Sequence, residues 1–394
     1  MSGDHPSATV GILPVGALGA AFFFHLTRGL CEVDGRVQFV ERRGSSRGGA
    51  VRQRGSLTLA SSGTTFNLTA EEVCRPDLIG CLEAGWLPKV LLVCTQTDQL
   101  LSIMGDYVTL LERLALTHDL DAAVERLPLL VLSSNGIYHE RVRRFLVELL
   151  EESMLYGRLP DLWSGAMGRI VGKLLRGVTM QTGHREGTGV EAVFHCGPPG
   201  RTILAGGDAA ERRRAGELLT SLGGWFEVAE TAPAVRVEFD KALVNLWGNL
   251  LGQLKAISDD GTFQLLKVRE IYPEEEWPEV RELARHVVAV GRAVRAYREP
   301  ESFEEIYQSA LKIAIGPREH VPSSLKWVEA QLHAGTLQPQ LSPTEAWLLD
   351  PVIRFASTAG LDDSARYFTS LRERVEERLK MAIEKWAIDS LSEK

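Results

Sequence analysis

Ala8-Thr9-Val10-Gly11-Ile12-Leu13 carries no charge and runs into the turn Pro14-Val15-Gly16-Ala17-Leu18-Gly19. A short apolar run of this kind suits a buried parallel strand. Ala20 to Arg28 then reads as a helix. Strand, glycine turn and helix, in that order, are the context in which a dinucleotide-binding loop works. Gly16 lets the backbone approach a pyrophosphate, and Gly19 lets the helix lie close on its strand. The N–H groups at the helix start face the anion. Pro14 stands where the first glycine of G-x-G-x-x-G falls, and proline fixes its own φ and lacks an N–H. The stretch from Thr9 to Leu26 also has the length of a signal peptide or membrane span. Asp4 precedes it, no Lys or Arg does, and Pro14, Gly16 and Gly19 interrupt it, so a soluble strand and helix are expected.

Working outward, Arg36 to Val40 reads as the second strand, followed by Glu41-Arg42-Arg43. A carboxylate here binds a ribose hydroxyl, whereas arginine accommodates a 2′-phosphate. Arg42, Arg43, Arg47, Arg52 and Arg54 crowd the segment, which favours NADP over NAD; the alternative is a solvated basic loop. Lys89 to Cys94 is a further buried strand ending in Thr95-Gln96-Thr97-Asp98. Leu127 to Leu132 is another, ending in Ser133-Ser134-Asn135-Gly136. Ligands of open parallel sheets bind beyond the carboxyl ends of strands, so Asn135 faces the nicotinamide region unless it only serves an Asn-Gly turn. Arg176–Thr182, Gly189–His195 and Thr202–Gly206 read as short strands in an antiparallel extension of the same sheet. Asp208 to Leu222 reads as a helix and Trp225 to Val228 as a last strand. The first domain is expected over residues 1–232 and a helical domain over 233–394.

The chain of 394 residues is long enough for two or three domains with real cores. Its net charge of −8 favours solubility and gives no support for nucleic-acid binding. Five cysteines without C-x-x-C spacing read as reduced thiols in a cytosol, with no metal centre and no disulfide framework. In the second half, Lys241, Asn245 and Asn249 fall four residues apart, which stacks them on one face of a helix. The flanking Ala242, Leu243, Val244, Leu246, Trp247, Leu250 and Leu251 make that helix apolar nearly all round, hence mostly buried. Buried polar groups need partners, and a carbonyl substrate is one; a solvated Lys/Asn stripe is the alternative. Ser323-Ser324 follows Pro322 at a helix start, and Ser342-Pro343-Thr344-Glu345 reads as a capping box. From Asp363 to Leu391 the apolar residues keep helical spacing, in a helix that packs on the core or on a second subunit.

The order of these motifs resembles the ketopantoate reductase family from about Thr9 to Phe368. The resemblance implies a Rossmann-type α/β domain followed by an all-α carboxy-terminal domain like that of 6-phosphogluconate dehydrogenase. It implies NADPH-dependent reduction of a 2-keto acid, with a small-molecule keto acid as partner, neither nucleic acid nor membrane, and a homodimer as one assembly. By the resemblance, the loop ending Gly16-Ala17-Leu18-Gly19 holds the cofactor through Gly16, Leu18 and Gly19. Arg42 takes the 2′-phosphate, and Gln96 stands next to the cofactor where the family usually has Lys. Asn135 touches cofactor and substrate. Lys241 is the proton donor, Asn245, Asn249 and Ser324 bind substrate, and Glu345 reaches the cofactor and supports catalysis. Pro14, Gln96, the missing Asp after Ser323-Ser324 and the acids of Asp259-Asp260-Gly261 depart from the family pattern. Two other readings stay open: a dehydrogenase of the opine or 3-hydroxy acid type, and a catalytically silent nucleotide-binding or regulatory protein.

Overall fold

The computed structural model describes residues 8–43, 51–158, 163–187, 191–272 and 277–392; Arg47 and the start of the strand expected at Gly189–His195 lie outside them. The chain forms two compact units, Met1–Ser134 with His139–Ala234, and Asn135–Tyr138 with Val235–Lys394. The first unit is α/β and the second is helical over its described length, apart from an isolated bridge between Ile257 and Phe263.

The strands of the first unit are β1 (Ala8–Leu13), β2 (Gly35–Val40), β3 (Ser56–Ser61), β4 (Thr64–Thr69), β5 (Cys74–Arg75), β6 (Val90–Val93), β7 (Leu129–Leu132), β8 (Leu174–Thr179), β9 (Gly183–Glu186), β10 (Val193–Cys196), β11 (Thr202–Ala205) and β12 (Phe226–Val228). Eight of them form one sheet in the order β12-β11-β8-β7-β6-β1-β2-β5, parallel except where β11 meets β8. Every residue of β1, β6 and β7 is buried, as strands covered on both faces must be. Strand order reverses beside β1, with β2 on one side and β6 on the other, and that switch point is where open α/β sheets bind ligands.

One sequence expectation changes here. The antiparallel extension is not all part of the main sheet: β9 and β10 join β3 and β4 in a second sheet of order β4-β3-β10-β9. β10 pairs with β3 in parallel register through Phe194↔Leu59, a long-range pairing that no local turn encodes. Phe194, Cys196, Leu57 and Leu59 share a core with Phe22 and Phe23 of α1 (Ala17–Leu26), so this sheet covers the helix that follows the glycine turn.

In the second unit, the helix Ala234–Leu246 runs through the core. Phe239, Leu243, Leu246 and Trp247 are fully buried, and Trp247 Nε1 donates to the Val280 carbonyl at 2.8 Å. The last helix, Asp362–Ser392, buries Phe368, Leu371, Val375 and Leu379 in the same core, while Trp386 and Ile388 near its end are exposed. Among the described residues no helix is long and apolar enough to cross a membrane.

Candidate functional site

In the first unit, the ends of β6, β1 and β2 lie side by side, and they carry Gln96, the glycine turn and Arg42. Gly19 is a packing glycine: a Cβ there would stand 2.7 Å from the Pro14 carbonyl oxygen and 3.1 Å from Ile12. Gly16 is different. It caps α1 with extended backbone, and a Cβ placed on it would meet nothing within 4 Å. No acidic residue lies in the first turn of α1, so its N–H groups are available to an anion. Leu18 packs its side chain against the core of this unit and so offers a ligand its backbone. Gln96 is exposed and Arg42 half-buried.

Glu41, the first residue after β2, is 5% exposed. One carboxylate oxygen pairs with Arg52 at 2.7 Å and the other, Oε1, is buried with no hydrogen-bond partner among the described residues. Burial pushes this carboxyl above its usual range, against the opposing pull of Arg52. A dinucleotide fits these residues: the open cradle at Gly16 suits a pyrophosphate, and an orphaned carboxylate oxygen at the end of β2 suits a hydroxyl.

In the second unit, the row Lys241, Asn245, Asn249 is half-buried, as its apolar flanks require. It is not carried by a plain α-helix. Residues Trp247–Leu251 form a π-turn, which passes into a further α-helix at Gly252–Ala256. On an α-helix each four-residue step overshoots a full turn by about 40°. A turn with i→i+5 bonds holds more residues and counters that drift. The next residue at the same spacing is Gln253, which is fully buried.

Two pairs tie this row to other elements. Ser324, at the start of the helix Ser323–His333, donates through Oγ to Asn249 Oδ1 at 3.3 Å. Gln253 donates through Nε2 to Glu345 Oε1 at 2.8 Å. The other Glu345 oxygen accepts the Ser342 N–H at 2.9 Å, completing the expected capping box of the helix Pro343–Thr358. Glu345 is 2% exposed, and burial raises its carboxyl, against the lowering effect of Ser342 and Gln253. Its hydrogen bonds to Ser342 and Gln253 thus cap one helix and tie it to another.

Asn135 belongs to this unit. Ile137 donates its N–H to the Trp347 carbonyl at 3.3 Å, and the Tyr138 N–H donates to Glu238 Oε1 at 3.2 Å. Gly136 has φ +128°, and a Cβ there would stand 3.2 Å from the Trp347 carbonyl oxygen, so only glycine suits the position. The segment is thereby fastened to the helix of Glu345 and to the helix of Lys241, leaving Asn135 exposed beside them.

Several contributors escape a sequence reading. Gln253 continues the four-residue row and could have been counted. Glu238, buried one turn before Lys241, carries no such signal. Nor does Arg176 of β8, 2% exposed, which donates to the Leu132 and Ser134 carbonyls and so fixes the end of β7. The imidazole of His320 is held below its usual value by burial first and then by the charges of Lys326 and Lys241. The acids near Gly261 serve structure: Asp260 accepts from Ser258 Oγ and the Thr262 N–H, and Asp259 pairs with Arg378.

No protein-family model and no curated protein matches the chain. Solved structures do match in fold. A D-mandelate dehydrogenase described with NADH and anilino(oxo)acetate is 15% identical over 94% of this chain and 99% of that one, with a TM-score of 0.64. A ketopantoate reductase of the PanE/ApbA family from Ralstonia eutropha JMP134 is 14% identical over 94% and 99%, with a TM-score of 0.59. A probable 2-dehydropantoate 2-reductase from Bacillus subtilis is 16% identical over 94% and 99%, with a TM-score of 0.57. The fold is therefore a Rossmann-type α/β unit followed by a helical unit, as in the ketopantoate reductases.

Proposed function

We propose that the chain is an oxidoreductase that reduces a 2-keto acid to a 2-hydroxy acid with a reduced nicotinamide dinucleotide. The observation that carries this reading is the half-buried row Lys241, Asn245, Asn249, with Ser324 hydrogen-bonded to Asn249. A lysine and two amides facing one way within an apolar helix supply a cation, donors and acceptors, which suits a carbonyl flanked by a carboxylate. The likeness to structures described as ketopantoate reductase and D-mandelate dehydrogenase supports the same class.

When bound, the nicotinamide supplies hydride. The chain's own residues do the rest. Lys241, as ammonium, donates a proton to the carbonyl oxygen as negative charge develops there, and its charge stabilises that oxygen beforehand. Asn245, Asn249 and Ser324 orient the substrate. Asn135, on its fastened segment, is the residue this reading assigns to both cofactor and substrate. Glu345, through Gln253, holds the helix Pro343–Thr358 against the Lys241 helix and acts as a positioning residue. Gly16, Leu18 and Gly19 present backbone to the pyrophosphate, with Gln96 and Arg42 at the neighbouring strand ends.

The test is a panel of branched, aromatic and linear 2-keto acids, each incubated with NADH and with NADPH and followed by nicotinamide absorbance. Turnover of at least one, abolished by Lys241→Met, is expected. Nucleotide binding without turnover of any keto acid would favour the silent binding protein instead.

A further inference from the structure

The residue that faces the glycine turn from β2 is Glu41, not Arg42. β1 and β2 are parallel with Ile12 opposite Phe39, so two residues further along each strand Glu41 comes level with Pro14, where the turn begins. Side chains alternate along a strand, so Glu41 shares a face with Phe39. Phe39 stacks on Phe23 of α1 at 4.7 Å between ring centroids, and a Cβ on Gly19 would lie 3.8 Å from its ring. Glu41 is therefore on the α1 side of the sheet.

Arg42 and Arg43 lie elsewhere. The charges of Arg42 and Arg43 act on the half-buried carboxyl of Asp106, in the helix Leu100–Ala115. That helix lies on the connection from β6 to β7, whereas α1 joins β1 to β2. The two crossovers run in opposite directions along the sheet. Because parallel crossovers are right-handed, the two helices cover opposite faces. The glycine turn and Glu41 thus share the α1 face of the sheet, with Arg52 paired to the carboxylate there.

We propose that Glu41 reads the adenosine ribose of the nucleotide and makes the chain prefer NADH to NADPH. Its buried Oε1, which has no partner among the described residues, accepts the hydrogen bond of a 2′-hydroxyl. A 2′-phosphate brings no proton at neutral pH to that oxygen and adds like charge beside a buried carboxylate. Arg52, on the other oxygen, fixes the carboxylate in place and is 58% exposed, so it can turn aside as a nucleotide enters. This reverses the expectation drawn from Arg42, and it rests on the nicotinamide-dependent function proposed above.

The test is a binding titration of the full chain with NADH and NADPH, read by nicotinamide fluorescence. Competition by 5′-AMP and by adenosine 2′,5′-bisphosphate checks the ribose directly. NADH is expected to bind at least about tenfold more tightly than NADPH, and 5′-AMP to compete better than the bisphosphate. Glu41→Gln, which keeps the shape and removes the charge, should bring the two nucleotides within about threefold by tightening NADPH. NADPH binding as tightly as NADH to the unaltered chain overturns the proposal while leaving the reductase reading intact. Binding of neither nucleotide overturns both.

Discussion

Replacing Gln253 by Leu removes the one side-chain amide that reaches the buried carboxylate of Glu345. The lost hydrogen bond, 2.8 Å long, ends on an acceptor that is 2% exposed. Hydrogen bonds to charged groups contribute about 1.5–3 kcal/mol. Against this, Gln253 Oε1 is itself buried without a partner, and its removal returns about 1 kcal/mol. The net cost is about 0.5–2 kcal/mol where the carboxyl is ionised. For a unit of this size that corresponds to a melting temperature lower by roughly 1–8 °C. The pH dependence has a definite sign. Glu345 already has a raised pKa in the folded chain, relative to 4.5, and Gln253 is one of the groups holding it down. Without Gln253 it rises further, so the variant loses stability as pH climbs through the new value. The deficit should shrink as pH falls towards 4.5, where the protonated acid no longer needs the amide. Thermal melts of both proteins between about pH 5 and 8 measure this. A deficit that is constant with pH, or that grows on acidification, would refute the coupling of Gln253 to the Glu345 carboxylate.

Other substitutions probe the remaining parts. Gly16→Ala should leave stability within about 0.5 kcal/mol, because a Cβ there meets nothing within 4 Å, yet weaken nucleotide binding at least about tenfold. Gly19→Ala should destabilise instead, since its Cβ would stand 2.7 Å from the Pro14 carbonyl oxygen; melting curves and nucleotide titrations separate the two. Lys241→Met keeps most of the aliphatic stem and should lower kcat by about 10²–10⁴-fold in steady-state assays with little change in melting temperature.

The parts of the fold that depend on local pattern were legible in the amino-acid sequence. The uncharged run of β1, the glycines after it, the Ser342–Glu345 capping box and the spacing in Asp362–Ser392 each follow from chemistry within one element. What depends on contacts distant in sequence was not. The pairing of β10 with β3 joins segments more than a hundred residues apart, and nothing in Val193–Cys196 names its partner. The π-turn at Trp247–Leu251 hides within a sequence that counts as an ordinary helix. At the strand ends, five arginines outweighed one glutamate by number. Strand alternation and crossover handedness put Glu41 on the α1 face, which a count of charges along the sequence does not register. The Asn135-Gly136 pair reads locally as a turn, and only the bonds to Trp347 and Glu238 make it part of the helical unit.

The central claim is hydride delivery to a keto carbon with Lys241 as the proton donor. Incubating the chain with a 2-keto acid substrate and reduced nicotinamide dinucleotide carrying deuterium at both C4 positions tests it most directly, with mass spectrometry of the acid that forms. The account predicts one deuterium on C2 of a 2-hydroxy acid, and loss of that product in Lys241→Met. Undeuterated product, or full labelling in the lysine variant, would contradict it.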